Sequence, residues 1–220
     1  MLESEPVVLN LRVLRERALR SRAEVADELG VSASLMIKLE LGHGDTRLLT
    51  IFHLCRVLAR YLELLPSQVL DALIPQEVYA NFEDIRQRAA ARLASLETQQ
   101  GNFRAKRRFL RRTEARNDDQ KLLEANSFYR FQLLFARSYY SQVELSKLTG
   151  LSERRLNHIF AISADRSGQM SIRIFLRLAA ALAPVYGEGI KSTAFYLVGS
   201  DLDKLDRYYQ ARRPDLDGQR

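Results

Sequence analysis

A twelve-residue pattern occurs twice in the chain, 120 positions apart, and it constrains both the kind of fold and its repetition. One copy reads Ser21-Arg22-Ala23-Glu24-Val25-Ala26-Asp27-Glu28-Leu29-Gly30-Val31-Ser32, the other Ser141-Gln142-Val143-Glu144-Leu145-Ser146-Lys147-Leu148-Thr149-Gly150-Leu151-Ser152. In each, Ser-x-x-Glu is a reciprocal cap for a helix start, Gly supplies the left-handed turn that ends the helix, and the second Ser caps the next one. Helix, tight turn, helix therefore occurs twice, which predicts an all-α chain with two small helix-turn-helix domains.

Apolar spacing extends both copies. Leu11, Leu14 and Ala18 predict a first helix over about residues 8–19, and Ile51, Leu54, Cys55 and Leu58 a fourth, before a short fifth opened by Ser67. In the second copy Phe128, Phe131, Leu134 and Phe135 mark the first helix, Leu156 and Ile159 the inner side of the third, and Phe175, Leu178, Ala179 and Leu182 the fourth. The fourth helices align at an offset of 124, which places about four extra residues in the loop 161–171. The expected division is 1–75 and 126–199 for the two domains, 76–125 for a helical linker with a basic segment, and 200–220 for a C-terminal tail.

The linker carries two further signals. Val78, Phe82, Ile85, Ala89, Leu93 and Leu96 form a near-heptad stripe, which reads as one long amphipathic helix that either packs on a domain of its own chain or pairs with the same helix of a second chain. Residues 103–112 contain Arg104, Lys106, Arg107, Arg108, Arg111 and Arg112 between aromatic residues, either a solvated linker or a set of phosphate contacts.

Charge supports an anionic partner for the later part of the chain. The net charge is +7, but residues 1–75 hold 9 basic against 10 acidic residues, residues 76–125 hold 11 against 8, and residues 126–220 hold 14 against 9. Every long apolar run is broken by charge and the N-terminus is acidic, so the expected location is the cytoplasm, with no membrane partner. One cysteine, Cys55, and three scattered histidines give no metal-ligand spacing. Gly187-Glu188-Gly189 lacks the lysine of a phosphate-binding loop, and no catalytic constellation is recognisable. The expectation is a protein without enzymatic activity, cofactor or metal.

Leu14, Arg15, Leu19, the run from Ser21 to Gly42 and the Leu-rich fourth helix together resemble the Cro/C1-type (phage-repressor-like) helix-turn-helix family over about residues 8–72, with a more divergent likeness over about 126–184. The resemblance implies a regulator of transcription, of bacterial or phage type, that binds double-stranded DNA with its third helix in the major groove. Carried onto the second copy, it implies base reading by Glu153, Arg154, Arg155, Asn157 and His158 and phosphate contact by Gln142 and Arg173. In the first copy the corresponding outward positions are Ala33, Ser34, Leu35, Ile37 and Lys38. Ser34, Leu35 and Lys38 are its candidate base readers, and Arg22 and Arg47 its phosphate contacts. Leu35 and Ile37 depart from the family's polar pattern and equally suit a protein interface, which leaves open an adaptor bound to a protein partner. Such proteins read paired half-sites, so the linker stripe is the candidate homodimer contact.

Overall fold

Ser21 and Ser141 cap helices in the same way. Each hydroxyl accepts the backbone N–H three residues on at 3.2 Å, and the Glu24 or Glu144 carboxylate accepts the serine's own N–H at 2.6 Å. Such a cap stabilises a helix start by about 1 kcal/mol. The computed structural model describes residues 7–43, 46–98, 127–161 and 170–217; among them every regular element is a helix, apart from one isolated antiparallel bridge. No helix among the described residues is long and apolar enough to cross a membrane.

The first copy comprises α1 (Leu11–Arg17), α2 (Arg22–Leu29), α3 (Ala33–Glu40), α4 (Leu48–Leu62) and α5 (Pro66–Leu73). Then come α6 (Gln76–Ala80) and α7 (Glu83–Thr98). The second copy comprises α8 (Ser127–Arg137), α9 (Gln142–Thr149), α10 (Glu153–Ala161), α11 (Ile172–Tyr186) and the beginning of α12 (Ile190–Asp217).

Backbone and core repeat together. Gly30 and Gly150 close α2 and α9 at φ 66° and 68°, where a Cβ would strain the chain. Leu19 and Tyr139, also 120 apart, share φ values of 54° and 57°, although neither is glycine, and Glu63 and Gly187 end α4 and α11 in the same left-handed region. Matched unusual dihedrals at matched positions are strong evidence of one repeated backbone. The pairs Val25/Leu145, Met36/Leu156, Leu39/Ile159, Leu54/Leu178 and Leu58/Leu182 are all buried.

The repeat continues past residue 184, where sequence similarity fades. Asn10 Nδ2 donates to the Ala72 carbonyl at 3.1 Å, and Arg130 Nη1, its counterpart, donates to the Tyr196 carbonyl at 2.8 Å. Leu73/Leu197, Ile74/Val198, Val78/Leu202 and Ile85/Tyr209 are equivalent buried pairs at the 124 offset.

The copies interlock rather than hang from a linker. Arg47 and Ser171, equivalent residues preceding α4 and α11, form the bridge: Leu48 N–H donates to the Met170 carbonyl at 2.8 Å, and Ile172 N–H donates to the Thr46 carbonyl at 2.7 Å. α7 packs along α11 and touches α9, while α12 packs on α5 and α4. The Tyr140 hydroxyl donates to the Ala89 carbonyl at 2.7 Å, the Tyr209 hydroxyl donates to the Ala59 carbonyl at 2.9 Å, and Asp206 accepts the Ser67 N–H at 3.0 Å. One hydrophobic core runs through both copies.

Several sequence expectations change here. The stripe from Val78 to Leu96 is not one helix, because a turn at Asn81 and Phe82 separates α6 from α7. Val78, Phe82, Ile85, Ala89 and Leu96 are buried and Leu93 is half-buried against the same core, so the stripe packs within its own chain and leaves no seam for the homodimer contact assigned to it. Residues 200–217 are not a tail; they continue α12, and Leu202 and Tyr209 anchor them in the core. Residues 7–9 precede α1 without helical form and bury Val7 and Leu9, alternate residues facing the same core.

Candidate nucleic-acid interface

The second copy's third helix starts from Ser152, whose hydroxyl accepts the Arg155 N–H at 3.2 Å. Leu156 and Ile159, three residues apart on the inner side, are 0% and 2% exposed, and they fix which residues face outward. Glu153, Arg154, Arg155, Asn157 and His158 are all exposed. Ser152, Arg154, Arg155 and His158 line an open concavity on this face. Two permanent cations, an imidazole, a carboxamide and the Glu153 carboxylate are thereby presented on a short helix, and the cations and the carboxamide suit phosphates and guanine or adenine edges.

The first copy presents the same surface with different chemistry. Met36 and Leu39 are buried, and Ala33, Ser34, Leu35, Ile37 and Lys38 are exposed, position for position as in α10. Leu35, Ile37 and Leu41 keep 37%, 43% and 57% of their surface in solvent, an apolar cluster with one lysine.

Around these faces the candidate phosphate contacts differ in their freedom. Gln142, the first residue of α9, is half-buried. Arg22 is exposed, but its Nε donates to Glu40 Oε2 at 2.7 Å, while the almost buried Arg15 donates to Glu40 Oε1 at 2.7 Å and to the Arg20 carbonyl at 2.8 Å. Burial alone would raise the Glu40 pKa, but its hydrogen bonds to Arg15 and Arg22 prevail and hold it below the ordinary glutamate value. This clamp orients Arg22 from the end of α3, a link that 18 residues of separation hide from sequence reading. Arg47 is exposed at the bridge. Arg173 is half-buried, and its Nε, like that of Arg177 one turn later, is buried without a hydrogen-bond partner; Arg177 reaches the Thr149 carbonyl through Nη1 at 3.4 Å. Arg104, Lys106, Arg107, Arg108, Arg111 and Arg112 lie outside the described residues.

Two contacts tie the interface to the rest of the fold. Arg92 of α7 donates through Nε to Glu144 Oε1 at 2.9 Å, so the carboxylate that caps α9 also anchors α7. Burial opposes ionisation of Glu144, but the Ser141 N–H and Arg92 outweigh it and lower its pKa. Burial likewise pushes the Tyr140 hydroxyl up to about 12, so it stays a donor to Ala89. Cys55 is fully buried, which raises its thiol pKa and keeps it a packing residue. His53 is held below its usual value by burial and by Arg56.

No family model, curated protein or solved structure matches the chain.

Proposed function

We propose that the chain is a sequence-specific, double-stranded-DNA-binding regulator of transcription of bacterial or phage type, acting in the cytoplasm on the nucleoid and reading the major groove mainly with α10. The observation that carries this reading is the exposed Glu153, Arg154, Arg155, Asn157, His158 face on a helix clamped by buried Leu156 and Ile159. Arg154 and Arg155 supply paired donors for guanine, Asn157 pairs with the adenine edge, and Glu153 accepts from a cytosine amino group or orients Arg155. Gln142, Arg173, Arg22 and Arg47 hold phosphates, and the basic run from Arg104 to Arg112 adds counterion release. Ser34, Leu35 and Lys38 read the first copy's half of the site with lower discrimination, Leu35 meeting a thymine methyl.

The exposed Leu35, Ile37 and Leu41 favour a second reading, in which the first copy docks a protein partner and the chain is an adaptor. Binding across a salt series separates the two. The DNA reading predicts strong retention on duplex at low salt and a steep fall as salt rises. On a preferred duplex, Arg155→Ala is expected to relax base preference at one position, at roughly 1–3 kcal/mol, whereas Lys106→Ala weakens all sequences alike and flattens the salt slope. Absence of any retention at low salt contradicts the DNA reading and leaves the adaptor.

A further inference from the structure

The bridge between the copies obeys a two-fold operation. Position 48 donates to position 170 and position 172 donates to position 46, and each partner is the other's equivalent at the 124 offset. A narrow apolar crevice at the same place is lined by the equivalent pairs Leu48/Ile172, Leu70/Ala194 and Ile74/Val198, with Tyr79, Phe175 and Phe195 completing its wall without counterparts. The cover is reciprocal as well: α7, which follows the first copy, lies on the second copy's fourth helix, and α12 extends from the second copy onto α4 and α5. This is the self-complementary pattern of an isologous dimer, closed within one polypeptide.

We propose, resting on the DNA-binding reading above, that a single chain serves as both halves of a two-fold reader and binds, as a monomer, a duplex carrying two unlike half-sites in inverted orientation about one helical turn apart. Inversion follows from the operation, because a protein dyad superposes on a local dyad of the duplex. Spacing follows from reach. Seven Cα-to-Cα steps lead from the end of α3 at Glu40 to the bridge at Arg47, a span of at most about 25 Å, and the midpoint of α3 adds about 6 Å. Half-sites one turn apart need each reading helix about 17 Å from the dyad, within that reach, whereas two turns would need about 34 Å, beyond it. Unlikeness follows from the faces, since α10 presents Arg154, Arg155 and Asn157 where α3 presents Ser34, Leu35 and Ile37. The buried stripe explains why no second chain is needed: the helix that could have recruited one already covers α11.

The test uses the full chain and the duplex it selects from a random-sequence pool. Sedimentation of the complex is expected to return one chain per duplex, and the selected sequence to contain one strongly and one weakly specified half in inverted order. Inserting five base pairs between the halves, or reversing one half to a direct repeat, is expected to weaken binding on the order of a hundredfold, because the tethered second contact is lost. Two chains per duplex, or indifference to both the insertion and the reversal, overturns this inference while leaving DNA binding in place. A chain that retains no duplex at low salt overturns the DNA reading and the inference together.

Discussion

The two copies share a backbone and differ on the exposed faces of α3 and α10. Gly30 and Gly150, Leu19 and Tyr139, and the two capping boxes repeat almost without change, while Leu35 and Ile37 stand where α10 has Arg155 and Asn157. The internal supports differ too: Arg15 and Glu40, a buried ion pair in the first copy, correspond to Phe135 and Phe160 in the second. The repeated positions are those that set the backbone and the core, and the divergent ones are exposed. The interlocking helices add that neither copy is an independent unit, since each is covered by the helix that leads away from the other.

The largest difference in stability between the copies is expected at Glu40. Glu40→Gln takes from Arg15, 9% exposed at its side chain, its buried counter-charge, leaving it the half-exposed Glu16 at 3.6 Å, and should cost about 3–5 kcal/mol in denaturant unfolding; Phe135 and Phe160 have no equivalent ion pair to lose. The same carboxylate carries a pH signature. Its folded pKa lies below the unfolded value of about 4.3, so its contribution is complete above that pH and disappears as pH falls through the folded pKa. Glu144 behaves alike, so acid unfolding of Glu40→Gln should be shallower than wild type but still present. An unchanged acid transition would show that Glu40 is not the group responsible.

A matched pair of core truncations asks whether the copies fold as one unit. Met36→Ala and Leu156→Ala remove equivalent, fully buried side chains, and each should cost about 3 kcal/mol. Calorimetry should show one transition that both variants move, because one core spans both copies. Two transitions, with each variant moving only one, would restore the picture of separate domains.

The smallest effect is a gain. Leu19 is 90% exposed yet held at φ 54°, a conformation that disfavours a side chain, so Leu19→Gly should stabilise the protein by about 0.5 kcal/mol after the flexibility of glycine in the unfolded chain is discounted. A loss of stability at this site would mean that the leucine makes a compensating contact.

Local chemistry was legible in the sequence, and long-range assembly was not. The serine caps, the glycine turns and the inward and outward positions of α3 and α10 all follow from spacing, because capping and helical periodicity act over a few residues. The stripe from Val78 to Leu96 was visible as apolar, but the turn at Asn81 and the packing partner α11 were not. Nothing in Ile190–Leu197 resembles Pro66–Leu73 strongly enough to extend the repeat; the equivalence emerges through burial and through the Asn10–Ala72 and Arg130–Tyr196 bonds. The segment 200–220 reads as a tail in sequence, whereas the helix runs on to Asp217 with Tyr209 anchored on Ala59. The Glu40 clamp on Arg22 escaped for the same reason, a contact between distant residues that no local pattern announces.

Base preference separates a division of labour on the repeated frame from two equivalent readers. Each base pair of the selected duplex is replaced in turn, and binding is compared for wild type, for Arg154→Ala with Arg155→Ala and Asn157→Ala, and for Ser34→Ala with Leu35→Ala and Lys38→Ala. The first triple variant is expected to erase the strong preference in one half of the site, and the second to leave that half intact and only blur the other. Equal and symmetric losses from the two variants would contradict a division of labour.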